Sequence, residues 1–413
     1  MAVAAWFWCS CGYADGRLLL ADGTTVEARL ADGAADGKLA FDAAGKRTTP
    51  DTKEIVRWGG FVATGRATMA LLDGGDVAVY SRGKLDGDAL QLTSEVCGSV
   101  RVPIEAVRGL VVQPPATAAD GDRLIDELAK WTQDARSHGA GGIDRVTLDN
   151  GDAVEGKVTA LGDAELTVET DAGAITLAVE RVRAVAFGRR GRHATAQSGL
   201  RFVIGATDGS RITATTASLS QAGLEAATTW GAKLTIARPH VAAFQTLGGR
   251  ATYLSDLTAS GYKHVPYLAT AWPLAIDRNV AGGPLRAVGG ERLKGLGMHS
   301  AASATYTLDK PYRRFEAELA IDDSVFDDAA GGTAGEASGR RSPRGSVVFR
   351  VYTDGGDGVW KLRHTSKTIR GGDEPTPIAI DLAGAKRLSL IVDFADRADE
   401  HDRADWLDAR LVE

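Results

Sequence analysis

The chain has 413 residues, a formal net charge of −6 and 25% charged residues. One hydrophobic core stops growing at about 250–300 residues, so more than one domain is expected. The acidic balance argues against nucleic acid as a main partner, because phosphate binding needs clustered Lys and Arg.

Met1 to Gly12 is apolar and aromatic, yet no Lys or Arg precedes the apolar run. Residues 1–14 therefore depart from the signal-peptide pattern and read as a signal remnant or a misassigned start. Nothing approaches the roughly 20 apolar residues of a membrane span. Cys9, Cys11 and Cys97 make no disulfide framework: a Cys9–Cys11 bridge would be strained, and no further metal ligands lie near.

Next, one unit recurs four times, over 15–62, 63–113, 144–190 and 199–249. Each copy opens with a short apolar strand and a tight turn: Leu18-Leu19-Leu20-Ala21-Asp22-Gly23, Met69-Ala70-Leu71-Leu72-Asp73-Gly74, Val146-Thr147-Leu148-Asp149-Asn150-Gly151, and Phe202 to Gly209. Asp-Gly and Asn-Gly supply the positive φ that a hairpin turn needs. The distance from turn to closing strand is about 31 to 33 residues in every copy, and a fixed period is the mark of a repeat architecture. Five short alternating strands, the last returning to the first, describe a small barrel. The copies resemble Sm-like, SH3-type barrels, most clearly in copies two and three. No RNA-binding role is carried across. About 45 residues bury little apolar area, so the copies are expected to pair, one with two and three with four.

Between copies two and three, 114–143 reads as a helical linker. Leu124, Leu128 and Trp131 fall at helical spacing, and Asp120 or Asp122 is placed to cap the start. The cluster Arg189-Arg190-Gly191-Arg192-His193 reads as a solvated linker before copy four.

The last segment, 250–413, differs in character. Tyr253 to Leu257 is expected to be its first strand. A turn, Lys294-Gly295-Leu296-Gly297-Met298-His299-Ser300, is followed by Tyr306-Thr307-Leu308 and by Phe315-Glu316-Ala317-Glu318-Leu319-Ala320-Ile321-Asp322-Asp323. Then come Gly345-Ser346-Val347-Val348-Phe349-Arg350-Val351-Tyr352-Thr353-Asp354-Gly355, the strand Arg387 to Phe394, and Asp402-Arg403-Ala404-Asp405-Trp406-Leu407-Asp408-Ala409-Arg410-Leu411. Apolar and polar residues alternate in these runs, so the segment reads as a sandwich of antiparallel strands. Ala329 to Arg344 is rich in Gly, Ala, Ser and Arg and reads as a disordered loop. Each doubling of a loop costs only about 0.6 kcal/mol, so a sandwich tolerates it.

Five separated motifs in this order resemble the NPCBM family of carbohydrate-binding modules. Ala320 stands where the family has Gly, and the insert Asp328 to Arg344 is longer than expected. The resemblance implies a galactose-binding-like jelly roll, and binding rather than catalysis. The whole chain is thus expected to be all-β: repeated small barrels, then the jelly roll.

No nucleophile elbow, His-Glu-x-x-His, phosphate loop or Cys-x-x-Cys is present. His299 lies among glycines that let backbone approach either a ligand or a neighbouring strand; it reads as a donor to a sugar hydroxyl or as a buried partner of a turn carbonyl. Trp360 and Trp406 read as faces for a sugar or as packed side chains. Asp402 and Asp405 are candidate partners of sugar hydroxyls, and Asp322 and Asp323 candidate ligands of Ca²⁺, which wants six to eight oxygens. The expected partner is a glycan, with galactose-type sugars as first candidates, and protein partners through the β repeats. The expected setting is secreted or envelope-facing. Two other readings stand beside this one: an envelope interaction scaffold without sugar binding, and an accessory fragment of a glycoside hydrolase.

Overall fold

A computed structural model describes residues 15–32, 38–64, 67–137, 142–188, 199–267, 269–326, 344–396 and 398–413. The N-terminal segment with Cys9 and Cys11, the Arg189 to His193 cluster and residues 329–343 of the expected loop lie outside the described residues. The chain divides into a repeat unit, which includes 68–112 and runs to Leu247, and a sandwich unit of 63–67, 113–133 and 248–413. Both units are built of antiparallel strands.

In the repeat unit copies one, three and four are five-stranded meanders and copy two has six strands; in each the last strand returns to the first. In copy one, Asp15–Leu20 pairs with Thr25–Leu30 and with the closing strand Ile55–Gly59. Copies two, three and four repeat this with Met69–Leu72 and Val107–Val111, Asp144–Leu148 and Val182–Ala186, and Arg201–Ala206 and Val241–Leu247. The turn glycines Gly23, Gly74, Gly151 and Gly209 all adopt positive φ, from 76° to 91°. That is the conformation the Asp-Gly and Asn-Gly pairs foretell.

The copies pair differently from the expectation. Closing strands join copy one to copy four, with Trp58 opposite Phe244, and copy two to copy three, with Leu110 opposite Val185. Two apolar cores follow the same division. Leu18, Phe41, Trp58, Phe202, Ile204 and Phe244 pack in one, and Leu72, Leu90, Leu110, Val146, Val168 and Phe187 in the other. The physical reason lies in the closing strands, which are apolar on both faces and bury fully only against another closing strand. Gly59 permits this contact in copy one: a Cβ there would meet the Ala242 carbonyl oxygen at 2.0 Å.

In the sandwich unit, one sheet runs Ala275–Ile276, Gly295–His299, Arg403–Val412, Arg314–Ile321, Thr376–Asp381, with Ala251–Tyr253 also on Arg403–Val412. The other runs Gly261–His264, Ala302–Thr307, Arg387–Phe394, Ser346–Asp354, Lys361–Thr365, with Ile369–Arg370 at its side. The first strand is therefore Ala251–Tyr253; the chain turns into a 3-10 helix at Leu254–Asp256, within the stretch expected to be strand. Phe315, Leu319, Phe349, Val351, Leu390 and Trp406 fill the space between the sheets.

The outer face of the first sheet is covered as well. The hairpin Leu285–Ala287 and Gly290–Arg292 lays Leu285 and Ala287 on Ala320 and Leu407. The helix Ala118–Ser137 is capped by Thr117, whose hydroxyl accepts the Asp120 N–H at 3.1 Å; Asp120 and Asp122 do not cap it. Asp122 instead receives both Nη1 and Nη2 of Arg286, and Asp126 receives Arg278 Nη1. The helix thus clamps the hairpin rather than merely linking domains.

Candidate functional site

The motif aspartates occupy the covered face. Asp322 accepts Asn279 Nδ2 (2.8 Å), Ser324 N (2.9 Å) and Arg286 N (2.8 Å). Asp405 finds no backbone donor and leans on Asp322. Burial first, and then the Asp322 charge, push Asp405 well above the ordinary carboxylate range. Burial raises Asp322 as well, opposed by the donors around it. Asp323 takes the N–H groups of Val288 and Gly289. All four oxygens of Asp322 and Asp323 thus accept protein N–H groups, which does not suit the expected Ca²⁺. Among the described residues no group of three or more His, Cys, Asp or Glu is arranged to hold a metal.

Trp406 and Asp405 do not reach a ligand. Trp406 is 0% exposed, with the Phe349 ring at 4.9 Å and 90° and the Phe315 ring at 6.2 Å. Its strand has one face in the core and the other under the hairpin, so both side chains are sealed in.

His299 and Asp402 are brought together at one end of the sandwich. His299 pairs with Arg403 across the first sheet. Gly297 in the same strand lets Arg278 pass close, where a Cβ would meet its carbonyl oxygen at 2.4 Å. Asp402 Oδ1 accepts Ser346 N at 2.7 Å, and the Ser300 hydroxyl stands beside it. Burial raises Asp402 to about 7.

Residues not foreseen from sequence complete this rim. Val265 N donates to Ala301 O, which draws the loop after Gly261–His264 onto the His299 turn. Trp272 N donates to His264 Nδ1 at 3.1 Å, and Tyr262 Oη donates to Trp272 O at 3.0 Å. These bonds set the Trp272 ring on His299 at 5.1 Å, nearly parallel at 8°, with His264 edge-on at 5.8 Å. Burial lowers His299 to about 4, against the opposing pull of Asp399, so its imidazole is neutral at physiological pH. Its Nδ1, His264 Nε2 and Asp402 Oδ2 are buried and make no hydrogen bond within 3.5 Å among the described residues. On the same loop Tyr267 is 64% exposed, and Phe394 flanks the rim from the second sheet. Trp360 stands elsewhere, beside Arg387 and Asp354. Arg387 opens the strand that carries Val392 opposite Ala302, so Trp360 and His299 lie at opposite ends of it.

Residues 250–412 match the family model of the NPCBM/NEW2 domain. That match takes in both sheets of the sandwich, with the rim and the Trp360 end. A curated relative named "Putative endo-alpha-N-acetylgalactosaminidase", from Renibacterium salmoninarum, is 28% identical over 131 residues, covering 32% of this chain and 7% of the relative. The chain thus spans a small part of that protein's length. Among solved structures, a CBM51 module of Clostridium perfringens GH95 in complex with methyl-galactose is 21% identical, with TM-score 0.31, covering 39% of this chain and 99% of that one. A CBM51-2 and INT domain structure from Clostridium perfringens ZmpB, in complex with GlcNAc, is 20% identical, with TM-score 0.32, covering 50% and 42%. Among the described residues no helix is long and apolar enough to cross a membrane.

Asp402 offers a direct check of the rim's electrostatics. Its folded pKa is raised, so the stability it adds is complete below the unfolded value near 4 and is lost as pH rises through about 7. Wild-type protein is expected to lose stability over that window, and Asp402→Asn to flatten the loss, in denaturant melts read at half-unit steps from pH 4 to 8.

Proposed function

We propose that the sandwich unit is a non-catalytic, lectin-like module that holds a glycan residue at the His299 rim, and that the four β repeats present it. The observation that carries this reading is the Trp272 ring stacked on a neutral His299, on the loop that also bears the exposed Tyr267. Sugar recognition asks for this combination: an aromatic face for the apolar C–H side of a pyranose, and a few fixed polar groups for its hydroxyls. His299 Nδ1, His264 Nε2 and Asp402 Oδ2 have hydrogen-bonding capacity left over, and a buried polar atom without a partner is costly until something satisfies it. A hydroxyl-rich ligand suits all three. The match to a domain family of carbohydrate-binding type supports the same class of ligand. An envelope-facing or secreted setting fits a glycan ligand.

Methyl galactoside and N-acetylglucosamine are the first probes. Calorimetric titration of the full chain is expected to show binding of a neutral glycoside, weakened about tenfold or more (~1.4 kcal/mol) by Tyr267→Ala. Tyr267 is exposed, so that variant should melt like wild type. Silence across neutral galactosides and N-acetylhexosamines would overturn the reading.

A further inference from the structure

The opposite end of the sandwich carries its own exposed aromatic side chain. Val359, Trp360 and Leu362 are 55%, 37% and 54% exposed, clustered on a loop and the start of the edge strand Lys361–Thr365. Arg387 lies over the Trp360 ring, its Cζ 5.0 Å from the ring centre. Asp354, 0% exposed, fixes that guanidinium: it accepts Arg387 Nε at 2.6 Å and also Nη2, while its other oxygen takes the N–H groups of Gly356 and Gly358. Trp360 and Arg387 are therefore held as one rigid aromatic and cationic surface, built on a buried carboxylate.

Distance separates this surface from the rim. Arg387 pairs with Asp354 and Thr307, whereas Val392, five residues on, pairs with Ala302 next to the His299 turn. Five residues of strand span about 17 Å. One sugar residue cannot touch both places.

The chemistry left over at this end points to the ligand. Arg387 Nη1 has no partner among the described residues, and neither do the ammonium groups of Lys361 and Lys386. The Lys386 stem lies along the Gly356 turn, close to the same loop. Arg363 gives Nη2 to the Asp381 carbonyl. Guanidinium and ammonium groups only donate. The nearby carboxylates Asp357 and Asp381 are already turned to the N–H groups of Val359 and Ala383. A ligand here must bring acceptors and gains from negative charge.

We propose that the Trp360 end is a second saccharide subsite for an acidic sugar, a uronate or a sulfated residue, whose ring rests against the exposed indole while its anion meets Arg387 and Lys386. This goes beyond the neutral-glycan reading of the rim and does not depend on it.

Full-length protein titrated at low salt with a heparin-derived tetrasaccharide, with tetragalacturonate and with neutral maltotetraose provides the test. At least one acidic probe should bind, with affinity falling as salt rises. Trp360→Ala, and separately Lys386→Glu, should each weaken it at least tenfold; Lys386 makes no ion pair among the described residues, so the melting temperature should not move. Tyr267→Ala should leave this binding unchanged. Binding of the sulfated or of the uronate probe identifies which anion is read. The proposal falls if neither acidic probe binds, if both variants bind as wild type does, if maltotetraose binds as well as they do, or if Tyr267→Ala abolishes the signal. Failure of the acidic probes to bind leaves the neutral-sugar reading of the rim untouched.

Discussion

Trp406→Ala is expected to lower the unfolding free energy of the sandwich unit by about 3–5 kcal/mol. The indole is fully buried between the sheets, edge-on to Phe349 and tilted against Phe315. Neither ring can follow it into the space it leaves, because each is fixed in its own strand. Trp406→Phe should cost much less, since it keeps an edge-to-face aromatic pair and removes an indole N–H that has no partner among the described residues. Guanidinium melts of the full chain, followed by hydrogen exchange in peptides of 295–325 and 403–412, report the sandwich unit separately. A Trp406→Ala protein with native protection but no glycan binding would show instead that the indole meets ligand.

Asp322→Ala is expected to be as severe, at roughly 3–5 kcal/mol. It leaves the Asn279 amide with Pro284 O alone, orphans the N–H groups of Arg286 and Ser324, and strands the buried carboxyl of Asp405. Asp405→Asn should cost much less, because an amide brings no charge to bury and can also donate. The pH dependence has a definite sign. Asp405 has a folded pKa well above its unfolded value, so its proton-linked stability is full below about pH 4 and is lost as pH rises through the folded pKa. Wild type should therefore be more stable at pH 5 than at pH 9, and Asp405→Asn should reduce that difference. Melts of the two proteins across this range decide it; an Asp405→Asn protein with the wild-type slope would mean that the carboxyl is ionised in the fold.

Much of the fold was legible because it is written in local chemistry. Four Asp-Gly or Asn-Gly turns, each followed by alternating strands, announce four small meanders. Which copies join was not legible. That choice rests on closing strands buried on both faces and on a close approach such as Gly59 to Ala242, and neither has a local signature. The helix was visible from Leu124 and Leu128, but its role was not, since Asp122 and Asp126 find Arg286 and Arg278 more than 150 residues away.

The site was less legible, for a physical reason. The motif residues Asp322, Asp402, Asp405 and Trp406 are all buried. They mark the polar and aromatic framework of the sandwich, with His299 and Asp402 at its rim. Alternation along Arg403–Val412 suggests one wet face, yet a hairpin covers that face, so Asp405 and Leu407 are as hidden as Trp406. The side chains best placed to meet ligand, His264, Tyr267 and Trp272, lie at the end of a short strand and in the Pro-containing loop after it, between motifs. Only the fold brings that loop onto His299.

The most direct measurement is to locate a bound sugar. Crystals of the full chain soaked with methyl galactoside or N-acetylglucosamine should show the pyranose against Tyr267 and Trp272, with hydroxyls within 3.2 Å of His264 or His299. A sugar seated elsewhere on the sandwich, with this rim empty, would contradict the account.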